Sequence, residues 1–155
     1  MFTRDPSFAD KSVLVVDDNA YHLRLAVEVL RGLGLSRILT CANATESLDL
    51  LRLNPVDAMV ISWRMEPIDG LSFVRNLRRG DYHGSLRRMP TLLLTSRSTA
   101  AELEEARNSG IDEFLLKPFT TAGLTERLHA LLHRRRPFVD SPVYIGPCRR
   151  RKLVS

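Results

Sequence analysis

Short apolar runs recur along the chain, separated by stretches in which apolar residues fall on one helical face. The first, SVLVVD (12–17), is rich in β-branched residues and shows no in–out alternation, the pattern of a strand buried on both faces. RILTC (37–41), AMVIS (58–62), TLLLT (91–95) and EFLLK (113–117) read as four further strands. Between them, Asn19 offers an N-cap for a helix striped by Leu23, Val27 and Leu30, which Gly32 and Gly34 end. A short helix is predicted from Thr45 to Leu53, stopped before Pro55, and a third carries Leu71, Val74 and Leu77. A fourth spans 99–109 up to Gly110, and a fifth runs from Thr121 to about His133 with Leu124, Leu128, Leu131 and Leu132 facing inward.

Five alternating strand–helix units predict an α/β fold, a single doubly wound parallel sheet with right-handed crossovers and helices on both faces. In such sheets chemistry gathers at the carboxyl ends of the strands. Those ends carry Asp17 and Asp18, then Ser62, then Thr95, then Lys117 before Pro118. Two adjacent carboxylates, hydroxyls and an ammonium on one rim suit an oxygen-ligand Mg²⁺ and phosphate site.

The segments VLVVDDN (13–19), DAMVISWRMEPIDG (57–70), LLLTS (92–96) and FLLKPF (114–119) resemble the response-regulator receiver domain, the CheY-like fold. The resemblance spans residues 10–133 and implies five strands in the order 2-1-3-4-5. It also implies Mg²⁺ ligation by Asp17 and Asp18, a switch hydroxyl at Thr95, a switch aromatic at Phe114, and a phosphate-pairing Lys117 ahead of a cis Pro118. One position departs: the phosphoacceptor aspartate of the family aligns with Ser62. A receiver's carboxylate serves as both nucleophile and metal ligand. A serine hydroxyl has neither the charge nor, in this sequence, an adjacent base. Loss of aspartyl phosphorylation is therefore expected, with substitution by a neighbouring residue or phosphorylation of serine as the other readings. The Asp17/Asp18 metal site is expected to be vestigial, Mg²⁺ is not expected to bind, and no catalytic residue or enzymatic activity is assigned. MEPIDG also sets proline later than receivers usually do, which alters the loop after the third strand.

Composition adds one asymmetry. The chain has 155 residues, 44% hydrophobic and 26% charged, as one globular domain would. No run reaches the roughly 18 apolar residues of a membrane span, and the first residues lack a signal-peptide core, so a cytoplasmic protein is expected. Cys41 and Cys148, without metal-ligand spacing, read as free thiols. The net charge is +5, yet residues 133–155 alone hold seven Lys or Arg against Asp140. The body is nearly neutral and a basic tail (134–155) carries the charge, which suggests a polyanionic partner.

That tail reads RRRPFVDSPVYIGPCRRRK over 134–152. Pro137 ends the last helix, and Pro142, Gly146 and Pro147 argue against any regular element, so a flexible, extended segment is expected. Arginine forks bind phosphate in pairs and bond the O6/N7 edge of guanine. Asp140 can accept from guanine N1 and N2, and Tyr144 can stack on a base. The pattern Arg136-Pro137-Phe138, Ser141-Pro142, Tyr144, Gly146-Pro147, Arg149-Arg150-Arg151 resembles the arginine-rich extension of the CheY-like cyclic di-GMP effectors (the Cle class). That resemblance implies cyclic di-GMP binding through Arg134, Arg135, Arg136, Asp140, Ser141, Tyr144, Arg149, Arg150 and Arg151. It also implies a signalling adaptor whose tail orders on the ligand and alters docking at the face of the fourth helix, fifth strand and fifth helix. A flagellar motor switch protein is one such partner, and duplex nucleic acid is not expected. The rival readings are a two-component receiver acting through protein contacts, or a basic tail for nucleic acid or a membrane surface. A solvated basic tail that only adds solubility is the plainest alternative. His129 and His133 lack partners at metal spacing and read as surface or packing residues.

Overall fold

The computed structural model describes residues 4–150 apart from 81, 83, 97 and 98, so Arg151 and Lys152 of the basic tail lie outside the described residues. In chain order the elements are β1 (Ser12–Val16), α1 (Ala20–Leu33), β2 (Arg37–Cys41), α2 (Ala44–Leu53), β3 (Ala58–Ser62) and α3 (Gly70–Arg79). Then come α4 (Gly84–Arg87), β4 (Thr91–Thr95), α5 (Ala100–Asn108), β5 (Glu113–Leu116), α6 (Thr121–His133), β6 (Phe138–Asp140) and β7 (Ile145–Pro147). The first five strands form one parallel sheet in the order β2-β1-β3-β4-β5, as expected.

The apolar runs are continuous because each strand feeds two cores, one per face of the pleat. Val13, Val15, Val60, Leu92 and Leu94 pack under α1 and α6, together with Ala26, Leu30, Leu124 and Leu128. Leu14, Val16, Met59, Ile61 and Leu93 pack against α2, α3 and α5 through Leu51, Leu71, Val74, Leu77 and Ala106. Fully burying each Val, Leu, Ile or Met side chain of these sets contributes roughly 1.5–3 kcal/mol, so both cores stabilise the platform from which the strand ends project. Side-chain caps start the helices: Asn19, Asn43, Asp69, Thr99 and Thr120 each accept a backbone N–H of the first turn. Thr99 and Glu102 close a reciprocal capping box.

Two short elements escape the periodicity: α4, and a 3-10 turn at Pro6–Phe8 capped by Asp5. The turn matters to packing, since Phe8 is completely buried beside α6, against the rings of His129 and His133.

The tail corrects a larger expectation. Residues 138–147 are not an extended segment but an antiparallel hairpin, with Phe138 opposite Pro147 and Asp140 opposite Ile145. The prolines fit for a local reason. Pro142 lies in the connecting turn, and Pro147 ends an edge strand, positions where a missing N–H leaves no ladder bond unmade. Ser141 closes the turn: its N–H and hydroxyl both donate to the Tyr144 carbonyl at 3.0 Å, and its Oγ accepts from Tyr144 N–H at 3.1 Å.

The hairpin is docked on the body. Tyr144 is only 6% exposed and donates its hydroxyl to the Pro147 carbonyl at 2.7 Å. Gly146 lies against Gly110; a Cβ on Gly146 would stand 2.7 Å from the Gly110 Cα, and one on Gly110 would stand 2.8 Å from the Ile145 carbonyl. Gly110 also has φ +102, a conformation open to glycine but strained for other residues.

Candidate functional site

The C-terminal ends of the strands bring Asp17, Asp18, Ser62, Thr95 and Lys117 together around one cleft of about 490 Å³. Asp17 is 2% exposed, Ser62 4% and Thr95 2%, while Asp18 faces solvent. Lys117 Nζ donates to Asp17 Oδ2 at 2.9 Å and to Ser62 Oγ at 3.1 Å, and lies 3.1 Å from His22 Nδ1. The Lys117–Pro118 bond is cis, as the resemblance implies; Glu66–Pro67, in the altered loop, is cis as well.

This geometry has chemical consequences. Among the described residues the side chain hydrogen-bonded to the Ser62 hydroxyl is an ammonium donating to it, not a base that could take its proton. Mg²⁺ asks for an octahedral set of oxygens, usually supplied by carboxylates and waters. Here one oxygen of Asp17 is engaged by Lys117, and the β3 position supplies a neutral hydroxyl in place of a carboxylate. Among the described residues no group of three or more His, Cys, Asp or Glu could hold a metal ion. The residues present fit Mg²⁺ poorly, and no step runs through it. Phe114 does not line this cleft; it is half-buried and faces a separate cavity shared with Arg107, Arg136 and Arg149.

The basic residues gather at the other end of the sheet, beside the N-terminal ends of β4 and β5. Their anchor is Asp112, which accepts from Thr91 N at 2.9 Å, Arg78 Nη2 at 3.3 Å and Arg135 Nε at 2.7 Å. Arg78 is fully buried and also donates to the carbonyls of Gly110, Arg87 and Met89 at 3.0, 2.7 and 2.8 Å. Burial pulls its pKa down to about 10, while the Asp112 charge opposes that shift and Arg135 adds to it. The Phe138 ring lies between the guanidinium groups of Arg78, Arg88 and Arg135, 5.1–5.6 Å from its centroid. Arg136 donates to the Cys148 carbonyl at 2.7 Å and to the Asp112 carbonyl, and lies 3.8 Å from Glu113.

Arg135 and Arg136 are therefore clamps that fasten the hairpin to the start of β5. Arg149 acts similarly: it stacks on Tyr144 at 4.5 Å and donates to Asn108, while its carbonyl accepts from Arg107 at 3.1 Å. Tyr144, expected to stack on a base, is spent on the interior. Asp140 pairs with Arg87 at 3.4 Å and, with Ser141 and Tyr144, lines a surface hollow apart from the arginine cluster. The described members of the proposed ligand set are thus divided among three places rather than converging on one.

One of these places has the character of an anion site. A cleft of about 630 Å³ is walled by Arg127 of α6, by Arg134, Arg135 and Arg136 after it, and by Arg150 beyond the hairpin. Asp112, Glu113 and Glu126 supply its carboxylates, leaving two positive charges in excess. Arg134 and Arg150 are exposed there. The sequence reading missed Arg78, Asp112, Glu126 and Arg127. No local signal marked the first two; Arg127, the single Arg of α6, and its neighbour Glu126 lie two turns of helix before the tail and could have been found by following the exposed face of α6 back from Arg134.

Among the described residues no helix is long and apolar enough to cross a membrane. Known proteins place the body clearly. It is 28% identical over 122 residues to the chemotaxis protein CheY-3 of Vibrio cholerae, covering 79% of this chain and 92% of that protein. A CheY homolog of Campylobacter jejuni is 31% identical over 121 residues, covering 77% of this chain and 91% of that protein. The receiver domain of a sensor histidine kinase from Pseudomonas aeruginosa, solved with magnesium in its active-site cleft, superposes with TM-score 0.70 at 27% identity, over 80% of this chain and 98% of that one. The family model of the response regulator receiver domain matches residues 13–129, and the chain belongs to that family.

Proposed function

We propose that this receiver is a non-enzymatic signalling adaptor that reads cyclic di-GMP through its arginine-walled cleft instead of a phosphoryl group at the strand ends. The observation that carries this reading is the cleft's composition: five guanidinium groups against three carboxylates, an excess that matches the two phosphodiester charges of the ligand. Its volume of about 630 Å³ lies within the roughly 300–1,000 Å³ of small-molecule sites. At the opposite end, Lys117 is held by Asp17 and Ser62, an arrangement with no carboxylate nucleophile at the end of β3.

A route to partner docking follows from position. The cleft is walled by α6 and by the start of β5, and the segment after the hairpin is tied to α5 through Arg107 and Asn108. A bound dianion would neutralise and cover part of the α5–β5–α6 surface, where a protein partner such as a motor-switch component would dock. The test is calorimetric titration of the full-length protein with cyclic di-GMP, beside an Arg134→Ala/Arg150→Ala variant. Both residues are exposed, so the variant should melt like the parent and lose binding at least tenfold. Binding of equal strength in the variant would remove the cleft from consideration.

One observation favours a second reading, a phosphorelay receiver: Asp17, Thr95 and Lys117 remain grouped around the strand-end cleft. That reading requires a response to a small phosphodonor, which Trp63, buried next to Ser62, would report by fluorescence.

A further inference from the structure

The tail's own carboxylate is misplaced for reading a base in the arginine cleft, since Asp140 is paired with Arg87 and faces a different hollow. Three other carboxylates do line the cleft. Asp112 is buried and committed to Thr91, Arg78 and Arg135. Glu113 is buried between Arg127 and Arg136, each at 3.8 Å. Glu126 differs from both: it is exposed on α6, and its carboxylate has no hydrogen bond or ion pair to any described residue. Its neighbour Arg127 is half-buried, with its Nη1 3.8 Å from Glu113, beyond hydrogen-bond distance.

We propose that Glu126 and Arg127 form the body's half of the ligand site: the Glu126 carboxylate accepts from a guanine N1–H and N2–H edge, and Arg127 takes a phosphate oxygen. This rests on the reading of the cleft as a cyclic di-GMP site and adds what that reading lacks, a source of base selectivity. An exposed carboxylate without a partner in a cleft lined by five guanidinium groups invites the guanine edge, because guanine offers two adjacent donors there. Adenine offers a bare acceptor at N1 and no N2 group, so the same carboxylate repels it. A site made of arginines alone would have no such preference on that edge. The division also explains why three tail arginines can be spent on docking the hairpin: α6 supplies a replacement cation.

The experiment titrates full-length protein with cyclic di-GMP and with cyclic di-AMP, for the parent, Glu126→Gln and Arg127→Gln. Glutamine keeps the size and helix propensity of Glu126 but swaps one acceptor for a donor. Glu126→Gln should weaken cyclic di-GMP by roughly tenfold or more while leaving cyclic di-AMP unchanged or tighter, so the preference collapses. Arg127→Gln should weaken both ligands together and make the remaining binding less sensitive to salt. Circular dichroism and melting should match the parent for Glu126→Gln, excluding a folding defect. If the parent binds cyclic di-GMP and Glu126→Gln keeps its guanine preference, this inference fails and the cleft reading stands. If the parent binds neither ligand, both fail.

Discussion

Replacing Asp112 by alanine tests how the hairpin and body are joined. The carboxylate accepts from Thr91 N at 2.9 Å, Arg78 at 3.3 Å and Arg135 at 2.7 Å, and almost none of it reaches solvent. Its loss leaves the Arg78 guanidinium buried with three carbonyls but no counter-charge, whereas Arg135, about a quarter exposed, can turn to water. Removing one partner of a buried pair costs about 3–5 kcal/mol, and the orphaned Thr91 N–H is part of that cost. For a domain of this size each kcal/mol lowers the melting temperature by roughly 2–4 °C, so a fall of roughly 6–20 °C is expected. Trypsin should also cut after Arg134 or Arg135 sooner than in the parent, because the clamp on Arg135 is gone; the bond after Arg136 is protected in both by Pro137. Pairing Asp112→Leu with Arg78→Met removes both charges and should recover a large part of the loss. A single variant that melts within about 2 °C of the parent, or a double variant as unstable as the two singles added, would refute the charge-hub reasoning.

Ser62→Asp should leave cyclic di-GMP affinity nearly intact, since Ser62 ends β3 at the rim opposite the arginine cleft; calorimetry on the variant checks this, and the restored carboxylate should return a Trp63 fluorescence response to a phosphodonor. Burial raises the Tyr144 phenol above its ordinary 10.0, against the opposing pull of Arg78, so hairpin docking should be complete below pH 10 and weaken as pH climbs further; proteolysis rate followed with tyrosinate absorbance reads this. The Asp5 carboxyl is held down to about 2, chiefly by the Ser7 hydroxyl, then by the Ser7 N–H and His129. Its stabilising contribution should be present above pH 3.8 and disappear as pH falls toward 2, and Asp5→Asn should flatten that part of a melting-versus-pH profile.

The sheet was legible because strands such as AMVIS, buried on both faces, cannot alternate, and the strand-end residues followed from topology once the strands were placed. The 3-10 turn left a readable trace, an Asp cap before Pro6, but three residues carry no period. The four-residue α4 carries none either. Arg78 was invisible for a different reason. It sits in the last turn of α3 like any solvated cation, and its partners lie 9, 11, 32 and 34 residues away. The tail was misread by applying a sound local rule too widely. Proline breaks the interior of an element, but β6 and β7 have three residues each, with Pro142 in the turn and Pro147 on an edge. Because the hairpin folds back, tail arginines meet carboxylates of β5 and the loop before it, contacts that composition could count but not locate.

The most direct measurement is NMR of the full-length protein with arginine side chains labelled, recorded before and after cyclic di-GMP is added. The Nε signals of Arg127, Arg134 and Arg150 should shift most, while backbone signals of Asp17, Ser62, Thr95 and Lys117 stay in place. Shifts confined to those strand-end residues, or a saturating ligand that moves no arginine signal, would contradict the account.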